Sequence, residues 1–195
     1  MSLKLVILGL LLEGDKHPYE IQHIMKEREM DYYIKLAKGS LYYAFEQLEK
    51  QGCIKISDII RDTNRPDKTI YHITQKGEAE FQKLLLAQFQ EKNHVYKPIY
   101  AALAFATLGN EHEIVSIIDN KIKETKNFLQ IIQTVYNKKI ATVPRAQLHI
   151  LAGVIEHVYT ELRWLIRLRE DAVHNRLSDV GTAIDDLRIE NETAT

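Results

Sequence analysis

Cysteine is almost missing from this chain: Cys53 stands alone, so no disulfide can close within it and no thiolate cluster can hold a metal. Flanked by apolar residues at what reads as a helix end, that thiol is expected to be packed and inert. Long apolar runs are missing too. No stretch has the length and hydropathy to cross a bilayer, and the N-terminus lacks the basic segment, apolar run and small-residue cleavage site of an exported precursor. A cytoplasmic protein without membrane contact is therefore expected. Charge of one sign is also lacking. The formal net charge is −1, and residues 1–90 carry as many acidic as basic side chains, so any surface that grips a polyanion must come from local clustering. Finally, there is no P-loop, Rossmann glycine pattern, nucleophile elbow or metalloprotease signature. Nothing nominates a catalytic residue, so no enzyme and no cofactor are expected. His149 and His157 fall roughly on one helical face, but no carboxylate cluster joins them at ligand spacing, and no metal site is expected.

What is present is apolar residues, 45% of a 195-residue chain, enough for one large core or two small ones. The most informative stretch is Ala37–Ile54, AKGSLYYAFEQLEKQGCI. Leu41, Ala44, Phe45 and Leu48 recur at spacings of three and four and predict an inward helical face. The outward face carries Tyr43, Glu46, Gln47 and Lys50, with Tyr42 on its flank and Lys38 ahead of it. Ser40 is expected to cap the helix and Gly52 to end it in the left-handed conformation.

Two helices precede it. LKLVILGLLLE reads as a buried first helix, and Pro18 opens a second that runs through Tyr19, Ile21, Ile24, Met25 and Arg28. After it the period changes: KISDII and TIYHIT read as strands, joined by the polar tip RDTNRPDK that holds Arg61, Arg65 and Lys68. Thr74 is then placed to cap a closing helix with Phe81, Leu84, Leu85 and Phe89 on one face. Three helices, a hairpin with a basic tip and a fourth helix predict a winged helix-turn-helix over residues 1–92.

Residues 97–177 read as wholly helical. IYAALAFATL is expected to form one short helix stopped at Gly109; Asn110 is expected to cap a long amphipathic helix that Pro144 breaks; a last helix follows to about Arg176. On it Leu148, Leu151, Ile155, Val158, Leu162 and Leu165 trace a heptad seam, and Ile150, Val154 and Ile166 a second apolar line. So much apolar surface asks for a neighbour, which makes this the expected dimerisation domain and the seam its interface. Residues 178–195 form an acidic tail with Asp179, Asp185, Asp186, Glu190 and Glu192. The fold class expected is mainly α, an N-terminal winged helix-turn-helix followed by an all-helical dimerisation domain.

Ser40-Leu41-Tyr42, Leu48-Glu49 and Gly52 resemble the recognition-helix signature of the PadR family of transcriptional regulators. Pro18-Tyr19-Glu20-Ile21 is similar to that family's entry to its second helix, and Arg65-Pro66-Asp67-Lys68, Tyr71, Ile73-Thr74 and Gly77 to its wing and fourth helix. The helical pattern of 98–176, with Trp164, resembles the larger members that include the AphA-like activators. Tyr43 stands where proline is frequent, and Asp67 where a basic residue is common. The resemblance implies a homodimer that sets two reading helices on a near-palindromic operator in double-stranded DNA, acting most simply as a repressor. Ser40, Tyr42, Tyr43, Gln47 and Lys50 would enter the major groove, with Lys38 and Tyr19 on phosphates and Arg61, Arg65 and Lys68 on the backbone or minor groove. It also implies a small aromatic effector near the domain junction, with Tyr100, Tyr159 and Trp164 as candidate wall residues. The neutral charge of residues 1–90 keeps one alternative open, a winged-helix module that binds protein and never touches DNA.

Overall fold

The computed structural model of the chain describes residues 3–34, 38–62, 65–92 and 96–184, with side chains throughout these except at 31, 38, 61, 62 and 65–67. Two compact units divide it, Met1–His94 and Val95–Thr195.

The N-terminal unit runs α1 (Leu3–Leu12), α2 (Pro18–Glu27), a 3-10 turn (Met30–Tyr32), α3 (Lys38–Lys50), β1 (Ile54–Asp62), β2 (Arg65–Ile73) and α4 (Gln75–Gln90). One core joins these elements. Ile7, Leu8 and Leu11 of α1, Ile21 of α2, Phe45 and Leu48 of α3, and Ile54 at the start of β1 are all fully buried in it. Side chains of that size contribute roughly 2 kcal/mol each on burial, which is what holds helices too short to persist alone.

Local signals set most boundaries. Gly52 adopts φ +68°, its N–H donates to the Glu49 carbonyl at 2.8 Å, and the next N–H, of Cys53, reaches back to Leu48 at 2.9 Å. That pair of bonds is a Schellman ending, and it turns the chain from α3 straight into β1. Thr74 caps α4 by accepting from the Gly77 N–H at 3.1 Å.

Three expectations need correction. Ser40 does not cap α3, because the helical backbone begins two residues earlier, at Lys38. A hydroxyl caps only from the non-helical residue before the first turn. Nor is RDTNRPDK a long loop: β1 and β2 extend into it with Asp62 opposite Arg65, and irregularities of register fall between Ile56 and Asp58 and between Ile60 and Asp62. The amide ladder needs no apolar side chains to continue, so polar composition did not mark its end. In the C-terminal unit, IYAALAFATL is not one helix. It forms α5 (Pro98–Leu103), then breaks into a 3-10 turn (Ala106–Leu108). A segment apolar on every side has no single face to dock, and a helix this short is marginal without one.

The two long helices follow, α6 (Glu111–Lys139) and α7 (Arg145–Val173), with a 3-10 turn at Arg176–Ser178. Asn110 caps α6 through bonds from the His112 and Glu113 N–H groups, at 3.1 and 3.4 Å. Glu111 and Glu113 at its start and Lys138 and Lys139 at its end complement the helix dipole. Ile118, Ile122 and Leu129 of α6 pack with Leu162, Leu165, Leu168 and Ala172 of α7. Arg169 near the end of α7 donates to Asp119 near the start of α6, so the pair is antiparallel. Among the described residues no helix is long and apolar enough to cross a membrane. The acidic residues Asp185, Asp186, Glu190 and Glu192 lie outside the described residues.

His17 supplies a cap that its residue type had not advertised. Its Nδ1 accepts from the Tyr19 N–H at 3.0 Å, while its own N–H donates to the Glu20 carboxylate at 2.9 Å. Burial pushes the imidazole below its ordinary 6.5, Glu20 opposes that shift and Lys68 adds to it. The unfolded chain therefore takes up this proton at a higher pH than the folded one, so stability present above about pH 6.5 falls as the pH drops below it. Denaturant melts at pH 7.5 and 5.5 should show that loss in the wild type and a smaller one in His17→Asn, whose amide caps without titrating; equal losses would put the pH response elsewhere.

Candidate nucleic-acid interface

α3 displays what its periodicity predicted. Leu41, Ala44, Phe45 and Leu48 are buried, whereas Tyr42 and Tyr43 are 56% and 63% exposed. Phe45 anchors the helix through a tilted ring contact with Tyr71 of β2, centroids 5.0 Å apart. Gln47 is half-buried and Lys50 exposed, and the Lys50 ammonium donates to Glu46 one turn earlier. Ser40 sits in the first turn, half-buried.

The wing is tied to the helices on its inner side. Lys16, in the turn between α1 and α2, forms a two-bond bridge with Tyr71, both bonds 3.1 Å, and the neighbouring Asp15 carboxylate meets His72 Nδ1 at 2.6 Å. That bond is the main reason the Asp15 carboxyl is held below the usual range. Arg28 makes a two-pronged contact with Glu13, at 2.7 and 2.6 Å, and so joins the ends of α2 and α1. Pairs this exposed are worth at most about 1 kcal/mol each, so they orient elements that the core already holds.

Tyr19 stands at the start of α2, 65% exposed, beside a shallow hollow of about 390 Å³ that Lys16 and His23 also line. Lys68 is exposed on β2. Arg61 and Arg65 belong to the strands and Lys38 to the first turn of α3, but their side chains lie outside the described residues.

The C-terminal unit holds a larger cavity, about 570 Å³, between α5, α7 and the segment that follows α7. Leu103, Trp164, Leu168 and Leu177 supply apolar wall; Arg167 and Arg176 supply positive charge and Asp171 and Asp179 negative charge. Arg176 is engaged with Asp171 at 2.9 Å, while the Arg167 Nε is buried and has no hydrogen-bond partner among the described residues. Tyr100 meets Trp164 edge-on at 5.7 Å and so steadies the wall. Tyr159 does not line the cavity among the described residues and is 53% exposed. Arg167 was the residue missed from sequence. Its spacing of three from Trp164 placed it on the same helical face, and that was the available signal.

Of the expected dimer seam, Leu151, Leu162 and Leu165 are buried within the protomer, Ile155 and Val158 pack partly on the α6–α7 core, and Leu148 is half-buried. A different line is left open: Tyr159, Ile166 and Val173, spaced by seven on α7, are 53%, 44% and 43% exposed. Ile117 and Ile131 of α6 are exposed as well, at 59% and 47%.

A helical trio with an outward polar helix, a two-stranded hairpin and a closing helix defines the N-terminal unit as a winged helix-turn-helix. Residues 7–83 match the sequence profile of the Transcriptional regulator PadR-like family. The N-terminal unit thus carries a PadR-like domain, and the chain shares the fold of the solved PadR and AphA regulators. Bacillus subtilis PadR in complex with operator DNA is similar at TM-score 0.72 and 20% identity, over 87% of this chain and 98% of that one. The same protein in complex with p-coumaric acid is similar at TM-score 0.72 and 20% identity, over 88% and 98%. The Vibrio cholerae virulence activator AphA is similar at TM-score 0.68 and 16% identity, over 89% and 99%. No curated protein matches the sequence.

Proposed function

We propose that the protein is a cytoplasmic, dimeric regulator that binds a near-palindromic operator through α3 and the wing, represses transcription by occupying it, and releases it on binding a small aromatic effector. The observation that carries the DNA reading is the outward face of α3. Two exposed tyrosines lie on a helix whose opposite side is locked into the core, in a unit whose wing is also pinned. A rigid helix with hydroxyl and amide groups on its free side suits the major groove, where phosphate contacts position and base contacts specify.

The effector reading rests on the cavity of the C-terminal unit. An aromatic wall at Trp164 and a guanidinium nitrogen at Arg167 with no partner among the described residues suit a flat ring that bears a carboxylate, the chemistry of the p-coumaric acid bound by the Bacillus subtilis protein. For the dimer, the open heptad line of Tyr159, Ile166 and Val173 supports a second copy as the occupant, with Leu162 and Leu165 already spent on α6.

The test is a titration of the full-length protein against fragments of DNA upstream of its own gene, at two salt concentrations, with excess nonspecific competitor. Saturable binding that weakens steeply with salt is expected, because phosphate contacts release counterions. Tyr42→Ala should weaken it about tenfold and Lys50→Ala a fewfold. Unchanged affinity in both would remove that face from the contact surface. Added phenolic acids should release the DNA. No preferred fragment would favour a protein partner instead, the reading that the neutral charge of residues 1–90 keeps open.

A further inference from the structure

α3 carries its anion in the middle of the face offered to DNA. Glu46 lies between Tyr43 and Lys50 at spacings of three and four, on one stripe, and its carboxylate accepts from the Lys50 ammonium. Glutamate four residues ahead of lysine is the favoured order for such a pair, and both groups remain more than half exposed. The bond to Glu46 is also the first cause of the raised Lys50 pKa, so the lysine is fully charged but already engaged. Glu49 follows on the flank, half-buried. The described part of this face thus has no surplus of positive charge, which is an unusual surface to bring against a polyanion.

A carboxylate set there meets one of two environments. Against a phosphate it is repelled. Against the edges of the bases it can accept a hydrogen bond only from an exocyclic amino group, and the side-chain pairing that geometry favours is with cytosine N4. We propose that Glu46 is the specificity-determining residue of α3: it reads a cytosine amino group in the major groove, while its pairing with Lys50 suppresses attraction to phosphates that carry no sequence information. This rests on the reading of α3 as the DNA-contacting helix. It explains how a unit with balanced charge favours one sequence over bulk DNA, since selectivity is a difference of affinities and is raised as effectively by weakening the wrong contacts.

The experiment selects binding sites from a random duplex pool with full-length wild type and Glu46→Gln, then measures each protein on the wild-type site and on a scrambled duplex across a salt series. Glutamine keeps the shape of the side chain but removes its charge, and it prefers adenine through N6 and N7. Glu46→Gln should replace a cytosine by an adenine at one position of the selected site. Its discrimination between site and scrambled duplex should fall roughly tenfold. With Lys50 released, the log–log salt slope on the scrambled duplex should steepen by about one, equivalent to one added phosphate contact. An unchanged selected base with unchanged discrimination, or an equal loss of affinity on all DNA with an unaltered melting temperature, would overturn the assignment. If the wild type selects no site at all, the reading of α3 fails and this inference with it. A selective wild type with an indifferent Glu46→Gln sinks the inference alone.

Discussion

Gly77→Ala should destabilise the N-terminal unit by at least about 4 kcal/mol, although it adds a single methyl group to a good helix position. A Cβ at Gly77 would lie 2.0 Å from the Cys53 carbonyl oxygen and 2.7 Å from the Ile73 side chain. The first is a contact with backbone, which has no rotamer to move away. Nor can α4 simply lift. Its first turn is fastened to the same few atoms: the Thr74 hydroxyl reaches the Gly52 and Cys53 carbonyls at 2.7 and 3.1 Å, and the Thr74 N–H donates to Cys53 at 3.0 Å. A shift of an ångström or more would break these bonds and pull on the turn that ends α3. Thermal melts should therefore show the unit's transition lowered by roughly 15 °C or more, with DNA binding lost alongside. A variant that melts within a few degrees of the wild type would mean that this junction is slack.

The second large effect concerns assembly. On the proposed dimer, Ile131→Glu combined with Ile166→Glu should give a monomer whose fold is intact and whose operator affinity is down about a hundredfold. Both side chains are exposed in the protomer, so a glutamate at either costs the isolated chain little. In a dimer that covers these faces, each would bury a charge without a partner, at several kcal/mol per site. Two linked reading heads engage two half-sites with the second at high effective concentration; a single head forfeits that gain. Sedimentation and DNA titration of the same preparation separate the two consequences. A double variant that remains dimeric would place the contact on another surface of the C-terminal unit.

Much of this architecture was legible in residues that act locally. Pro18, Gly52, Thr74, Asn110 and Pro144 each mark an element boundary through a hydrogen bond or a backbone dihedral confined to a few neighbours, and such effects survive without tertiary context. The buried stripe of α3 was legible for the same reason, because helical period alone decides which side chains share a face. The exposed face of α3 followed by subtraction.

Where the outcome depended on a competitor for the same atoms, sequence was insufficient. His17 caps α2 because the fold sets its Nδ1 3.0 Å from the Tyr19 N–H while the Glu20 carboxylate closes the box on the His17 N–H; histidine in isolation is no strong cap. The wing outgrew its expected strands because cross-strand pairing, unlike side-chain alternation, leaves no mark in composition.

On α7 two apolar lines were visible, and periodicity is blind to which of them a neighbour within the chain will claim. The structure gives Leu162 and Leu165 to α6 and leaves Tyr159, Ile166 and Val173 outside. The sequence by itself thus determined most of the helices, the ends set by Pro18, Gly52, Thr74, Asn110 and Pro144, and the class of the N-terminal unit, all written in contacts between near neighbours. The close approach at Gly77, the cavity beside Arg167 and the choice of open face were decided only by tertiary structure, because each depends on where residues distant in the chain come to rest.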